Sequence, residues 1–196
     1  MKTLWKLMLL AALTVATLGA GTQGVFAAPS PKPILYGTTG ACNNNFPGGP
    51  CTQTSTLVQL DPSSGALIKE IGPVGFTVNG LAWDTKSQKL YASTAIGDVV
   101  FHGLITIDPT TGAGTPVDAT VHNFGLAGGD SPIHSITING AGRMAGWYDE
   151  RGATDTFVTL DKNTGIATEL PDTGIDTSAN GLSFDVFNQL WNIDTR

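Results

Sequence analysis

The chain has 196 residues, of which 16 are acidic and 10 basic, giving a net charge of −6 with only 13% charged residues and 25 glycines. So acidic a chain lacks the basic patches that nucleic acids and anionic membranes need, which sets both aside as partners. Sparse charge with abundant Gly, Thr, Ser and Asp is the composition of short strands joined by tight turns, and no amphipathic helical stretch follows the amino-terminal segment.

In chain order, Lys2 and Lys6 precede an apolar run from Leu7 to Leu18, and the small-residue site Val25-Phe26-Ala27 follows. That order is the one found in secretory signals, with cleavage expected after Ala27. The run is about 12 residues, short of the roughly 20 a bilayer-spanning helix needs. The expected organisation is therefore a signal peptide at 1–27, a short linker at 28–33 and one repeat domain at 34–196, periplasmic or secreted, with no membrane span after cleavage. Loss of the two signal lysines takes the net charge to −8.

Cys42 and Cys51 bracket the loop Cys-Asn-Asn-Asn-Phe-Pro-Gly-Gly-Pro-Cys. An even pair around a Gly/Pro-rich loop in an exported chain reads as a disulfide, worth about 2–3 kcal/mol by loop closure. The competing metal site would have two thiols and no histidine in the loop, a poor donor set.

Three segments then align on one aspartate: Leu57 to Asp61-Pro62-Ser63-Ser64-Gly65, Leu104 to Asp108-Pro109-Thr110-Thr111-Gly112, and Phe157 to Asp161-Lys162-Asn163-Thr164-Gly165. Each is a strand running into a turn in which Asp accepts backbone N–H bonds and Gly takes positive φ. Gly80-Leu81-Ala82-Trp83-Asp84, Ser135 to Asn139 and Gly181 to Asp185 form a second set with strand alternation. Leu35-Tyr36-Gly37, Leu90-Tyr91-Ala92, Met144-Ala145-Gly146 and Leu190-Trp191-Asn192 form a third. With a further strand after each Asp-to-Gly turn (66–71, 114–117 and 166–170), the unit is a-b-c-d with a period of about 46 residues.

Gly-Leu-Ala-Trp-Asp, Lys-Leu-Tyr-Ala and Ile-Thr-Ile-Asp-Pro-Thr-Thr-Gly resemble the blades of exported bacterial β-propellers of the YVTN and quinoprotein-like group, over roughly residues 34–196. The resemblance implies an all-β fold of four-stranded antiparallel repeats, and no activity, because propellers serve many functions. The expected strands run b-c-d, a-b-c-d, a-b-c-d, a-b, about 3.25 blades, where even a four-bladed ring takes about 16 strands. Such an incomplete array implies either a truncated product or self-association through open blade edges; a small barrel-like sandwich is the second architecture.

Alternating strand direction puts a-b and c-d turns at one end and b-c and d-a loops at the other. Length variation falls on the second end. Strand b to the marker Asp takes 26, 18 and 17 residues, the first excess being the cysteine loop; marker Asp to strand a takes 19, 27 and 20, the long one holding residues 121–132. Irregular loops on one face of a regular scaffold are where binding resides. His102, His122, Asp130 and His134 are the candidate binding residues there, with Asp98, Asp149, Glu150, Arg151 and Asp155 nearby. Imidazoles and carboxylates could share a proton or a cation, but spacings of 8 and 4 match no metal signature, and solvated loop residues are the plainer reading. Asp161 to Gly165 lacks the later Glu of a calcium loop, and Ser131 and Ser135 beside His134 lie in no nucleophile elbow. Trp83, Trp147, Trp191, Tyr91 and Tyr36 fall on repeat positions and are expected to pack between blades.

No cofactor, metal or catalytic residue is expected. The function expected is an exported binding or scaffold module for an extracytoplasmic protein, glycan or small ligand. The alternative is part of a propeller enzyme such as a quinoprotein-like dehydrogenase, a lyase or a hydrolase.

Overall fold

A computed structural model describes residues 33–40, 54–95, 101–127, 133–149, 154–176 and 180–194. Residues 1–32, Cys42, Cys51 and Asp130 lie outside those residues, and with them the expected signal peptide and disulfide.

The described residues form thirteen strands: β1 (Leu35–Thr38), β2 (Thr56–Leu60), β3 (Leu67–Pro73), β4 (Val78–Asp84), β5 (Lys89–Thr94), β6 (Leu104–Ile107), β7 (Gly114–Pro116), β8 (Ile133–Ile138), β9 (Met144–Tyr148), β10 (Thr156–Leu160), β11 (Ala167–Glu169), β12 (Asn180–Phe184) and β13 (Leu190–Asp194). They make four antiparallel sheets ordered β1-β2-β3, β4-β5-β6-β7, β11-β10-β9-β8 and β12-β13. This is the expected b-c-d, a-b-c-d, a-b-c-d, a-b series, strand for strand. Strand ends differ slightly: the strands that follow the first and third Asp turns start at Leu67 and Ala167, because Ala66 and Ile166 spend their carbonyls closing the turn.

Each Asp-to-Gly turn closes in the same way. The N–H of Gly65, Gly112 and Gly165 donates to the carbonyl of Asp61, Asp108 and Asp161 at 2.7–2.8 Å. Each glycine has positive φ, +71°, +84° and +74°, where a Cβ would be strained. Each carboxylate accepts the backbone N–H two residues on, from Ser63, Thr110 and Asn163, at 2.7–2.8 Å. Asp161 to Gly165 is thus a plain turn like its sisters. The Ser63 hydroxyl, with the Ser63 and Ser64 amides, holds the exposed Asp61 carboxyl down to about 2.

Period-two alternation gives every sheet two faces, and adjacent sheets bury them against each other. Leu90 and Ala92 of β5 and Ile105 and Ile107 of β6 share one face of the second sheet and join Leu57 and Val74 of the first sheet's segment in one core. Tyr91 and Leu104 turn the other way and meet Ile133, Ile136 and Met144 of the third sheet. Fully burying each such Leu or Ile contributes roughly 1.5–3 kcal/mol. β4 lies along β8, and β8 along β12. A Cβ added at Gly80 would stand 2.9 Å from the Ile136 backbone nitrogen, so glycine there lets β4 and β8 approach. One ion pair crosses the same junction at the turn end. Lys162, in a c-d turn of the third sheet, bonds the fully buried carboxylate of Asp84 in the a-b turn of the second. That contact places both turn types at one end, as the alternation of strands requires.

Candidate loop-face site

The opposite end carries the b-c and d-a loops. Six residues before each marker Asp stands a buried polar residue: Ser55, His102 and Asp155, at 0%, 8% and 0% exposure. All three do the same backbone work, clipping a b-c loop to the following d-a segment. Ser55 N–H donates to Phe76 O at 2.8 Å, Asn123 N–H donates to His102 O at 2.9 Å, and Asp155 N–H donates to Ile175 O at 2.7 Å. Their side chains then serve the local fold. Ser55 Oγ accepts Val78 N–H at 3.0 Å, His102 Nδ1 pairs with Asn123 Oδ1 at 2.6 Å, and Asp155 Oδ2 accepts the Trp147 indole N–H at 3.3 Å. A polar residue at a fixed offset from the marker Asp is the sequence signal for this position; His102 alone does not reveal it.

The long d-a loop of the second unit is the irregular element. Asn123, Phe124 and Gly125 have φ of +51°, +56° and +72°, a single left-handed turn in which two of three residues carry a Cβ. Left-handed residues other than Gly cost roughly 1–2 kcal/mol each. Two contacts offset this cost. Phe124 is completely buried, joining the core between the second and third sheets and meeting the His102 ring edge-on at 5.5 Å. Asn123, a residue that tolerates this region, donates its backbone N–H to the His102 carbonyl and pairs its side-chain Oδ1 with His102 Nδ1. His122 packs its ring 5.3 Å from that of Phe101, at the head of the same loop.

His134 stands on the innermost strand of the third sheet, in β8, and its Nε2 lies 3.0 Å from Asp149 Oδ2 at the end of β9. Both side chains are about one-third exposed, at 34% and 27%, so the pair is accessible to a ligand. Of the four predicted site residues, three are described. The structure draws His102 and His122 together around the left-handed turn and gives His134 a separate carboxylate partner, Asp149. Among the described residues no group of three or more His, Cys, Asp or Glu could hold a metal ion. Trp147, Tyr91 and Trp83 pack as core, Trp147 being 1% exposed, whereas Trp191 is 59% exposed.

No protein-family model and no curated relative matches the sequence. Solved structures do match. A gluconolactonase from Xanthomonas campestris superimposes with a TM-score of 0.52 at 16% identity, over 83% of this chain and 51% of its own. The fold is of the β-propeller type. A chain of a nidogen–laminin complex aligns with a TM-score of 0.49 at 17% identity, over 72% of this chain and 51% of that one. A Bacteroides thetaiotaomicron protein of unknown function aligns at 0.48 and 11%, over 72% and 37%. The chain spans about half the length of the first two. Its four sheets are therefore propeller blades, two complete and two partial, with the loop face at the end where the histidines lie.

Proposed function

We propose that the chain is an exported propeller-type binding module that holds its ligand on the loop face, around the His134–Asp149 pair and the Asn123–Gly125 turn. The observation that carries this reading is the contrast between the two ends. The turn end repeats one hydrogen-bonded design three times, with single left-handed residues Gln88 and Asn188 in two of its a-b turns, while the loop end holds two successive left-handed non-glycine residues, the His134–Asp149 pair and the buried polar clips. Strain held in place by surrounding contacts concentrates at functional sites. Imidazole, carboxylate and amide groups in partial exposure suit a polar ligand such as a glycan or a polar peptide segment. Export by the amino-terminal signal and closure of the Cys42–Cys51 loop by a disulfide belong to the same reading.

A glycan array followed by thermal-shift titration tests it. A ligand found on the array should raise the melting temperature of the native chain and of Asp108→Ala, altered at the turn end, but not that of a His134→Ala/Asp149→Ala double variant. Equal shifts in all three proteins would remove the loop face from binding. The gluconolactonase among the structural neighbours gives the enzyme reading its assay: gluconolactone turnover abolished by the same double substitution would replace the binding module with an enzyme.

A further inference from the structure

Two half-interfaces stand open on this chain, and repeat equivalence shows what each is shaped to meet. In the last sheet, Gly181, Ser183, Trp191 and Ile193 share one face by register. Their counterparts in the second sheet, Gly80, Ala82, Tyr91 and Ser93, are covered by the third. A Cβ at Gly80 would meet the neighbouring strand at 2.9 Å, whereas one at Gly181 meets nothing within 4 Å, and Trp191 is 59% exposed. In the first sheet, Leu35, Gly37, Val58, Leu60 and Leu67 share the face that, in the second sheet, packs against the sheet before it. Leu35 is 42% and Leu67 56% exposed, while Val58 between them is 8% exposed, so it is the rim of this face that stands open.

The turns change chemistry in step. Within the chain, the a-b turn of the second sheet meets the c-d turn of the third through Asp84 and Lys162. In the last sheet the a-b turn keeps the aspartate, as Asp185, and beyond it presents Val186 and Phe187, 90% and 79% exposed, where the second sheet has Thr85 and Lys86. In the first sheet the position equivalent to Lys162 is Pro62, also exposed, with Leu67 close behind it in the chain. The carboxylate of Asp185 is taken up within its own sheet by the Trp191 indole N–H and the Phe187 and Gln189 amides, and Pro62 offers no cation, so the open sides carry exposed apolar side chains where the internal junction has an ion pair.

We propose that the open face of the last sheet takes the first sheet of a second copy of this chain, head to tail, continuing the blade-to-blade interface already formed between the second and third sheets. A contact of this kind is heterologous, and two copies contribute eight sheets, within the four to eight blades of ordinary propellers.

Light scattering coupled to gel filtration of the purified chain should give about twice the monomer mass, falling to the monomer mass in Trp191→Glu and, separately, in Leu35→Glu, with circular dichroism unchanged. A monomer at every concentration tested, or an assembly untouched by both substitutions, overturns the proposal. A photo-crosslinking benzoylphenylalanine at position 187, exposed and so tolerant of replacement, gives an answer independent of those variants. In a mixture of isotopically light and heavy copies, it should join residues 180–194 of one copy to residues 54–73 of another. Crosslinks confined to residues 180–194 of both copies would instead indicate a face-to-face dimer and overturn the head-to-tail arrangement.

Discussion

Asp84 shows how a buried charge is kept. Burial pushes its carboxyl up, but the Lys162 ammonium, the Ser87 hydroxyl at 2.7 Å and the Lys86 N–H at 3.0 Å outweigh that and hold it at about 2. An ordinary aspartate titrates at 3.8, so between those values the unfolded chain binds more protons than the folded one. The stabilisation is complete above pH 4, and it is lost as pH falls through 2. Removing one partner of a buried pair leaves the other uncompensated, so Lys162→Met should destabilise the chain by about 3 kcal/mol at neutral pH, somewhat less if Lys162's partial exposure screens the pair. The same variant should lose less further stability than the native chain on acidification from pH 5 to 2, which urea unfolding at each pH measures. Asn192 is the opposite case. Its Oδ1 is buried without a hydrogen-bond partner, at a position the repeat fills with Ala92 and Gly146. A buried unsatisfied amide costs about 1–3 kcal/mol, so Asn192→Ala should stabilise the chain by about 1 kcal/mol in the same unfolding experiment.

At the scale of strands and turns, close approach of β4 and β8 depends on one missing Cβ. Gly80→Ala should cost about 1–3 kcal/mol by overpacking, while Gly181→Ala, with open space around it, should leave chemical-denaturation midpoints almost unchanged. The strand order is legible in the sequence because each unit carries its own punctuation. Asp-to-Gly turns and alternating apolar residues are local signals, and every one of the thirteen strands follows from them. The site is less legible, for two physical reasons. Asn123 and Phe124 are left-handed without glycine at either position, and nothing local announces a turn held by burial of Phe124 and by His102, 21 residues before Asn123. The Lys162–Asp84 pair spans 78 positions, and only packing of two sheets brings it together. His102 reads as a loop histidine until Ser55 and Asp155 show that its position is a repeated, buried clip.

Among the described residues, the main contacts between sheets join each sheet to the next, so stability should vary along the array according to how many faces each sheet has covered. The last sheet is covered on one side, with Trp191 at 59% and Ile193 at 68% exposure, whereas Trp147 and Tyr148 in the third are 1% exposed. Hydrogen exchange of the monomeric Leu35→Glu chain should therefore show the amides of β12–β13 exchanging well before those of β8–β10. Comparable protection in both would mean that the array opens as one cooperative unit. The Asp84–Lys162 contact bears on the same array in a mechanical sense. Among the described junctions it is the one riveted by an ion pair, shielded on the Asp84 side at 0% exposure. Under tension applied to its two ends, the molecule should part first at the unriveted seams, and the second and third sheets should come away together as a single extensible segment.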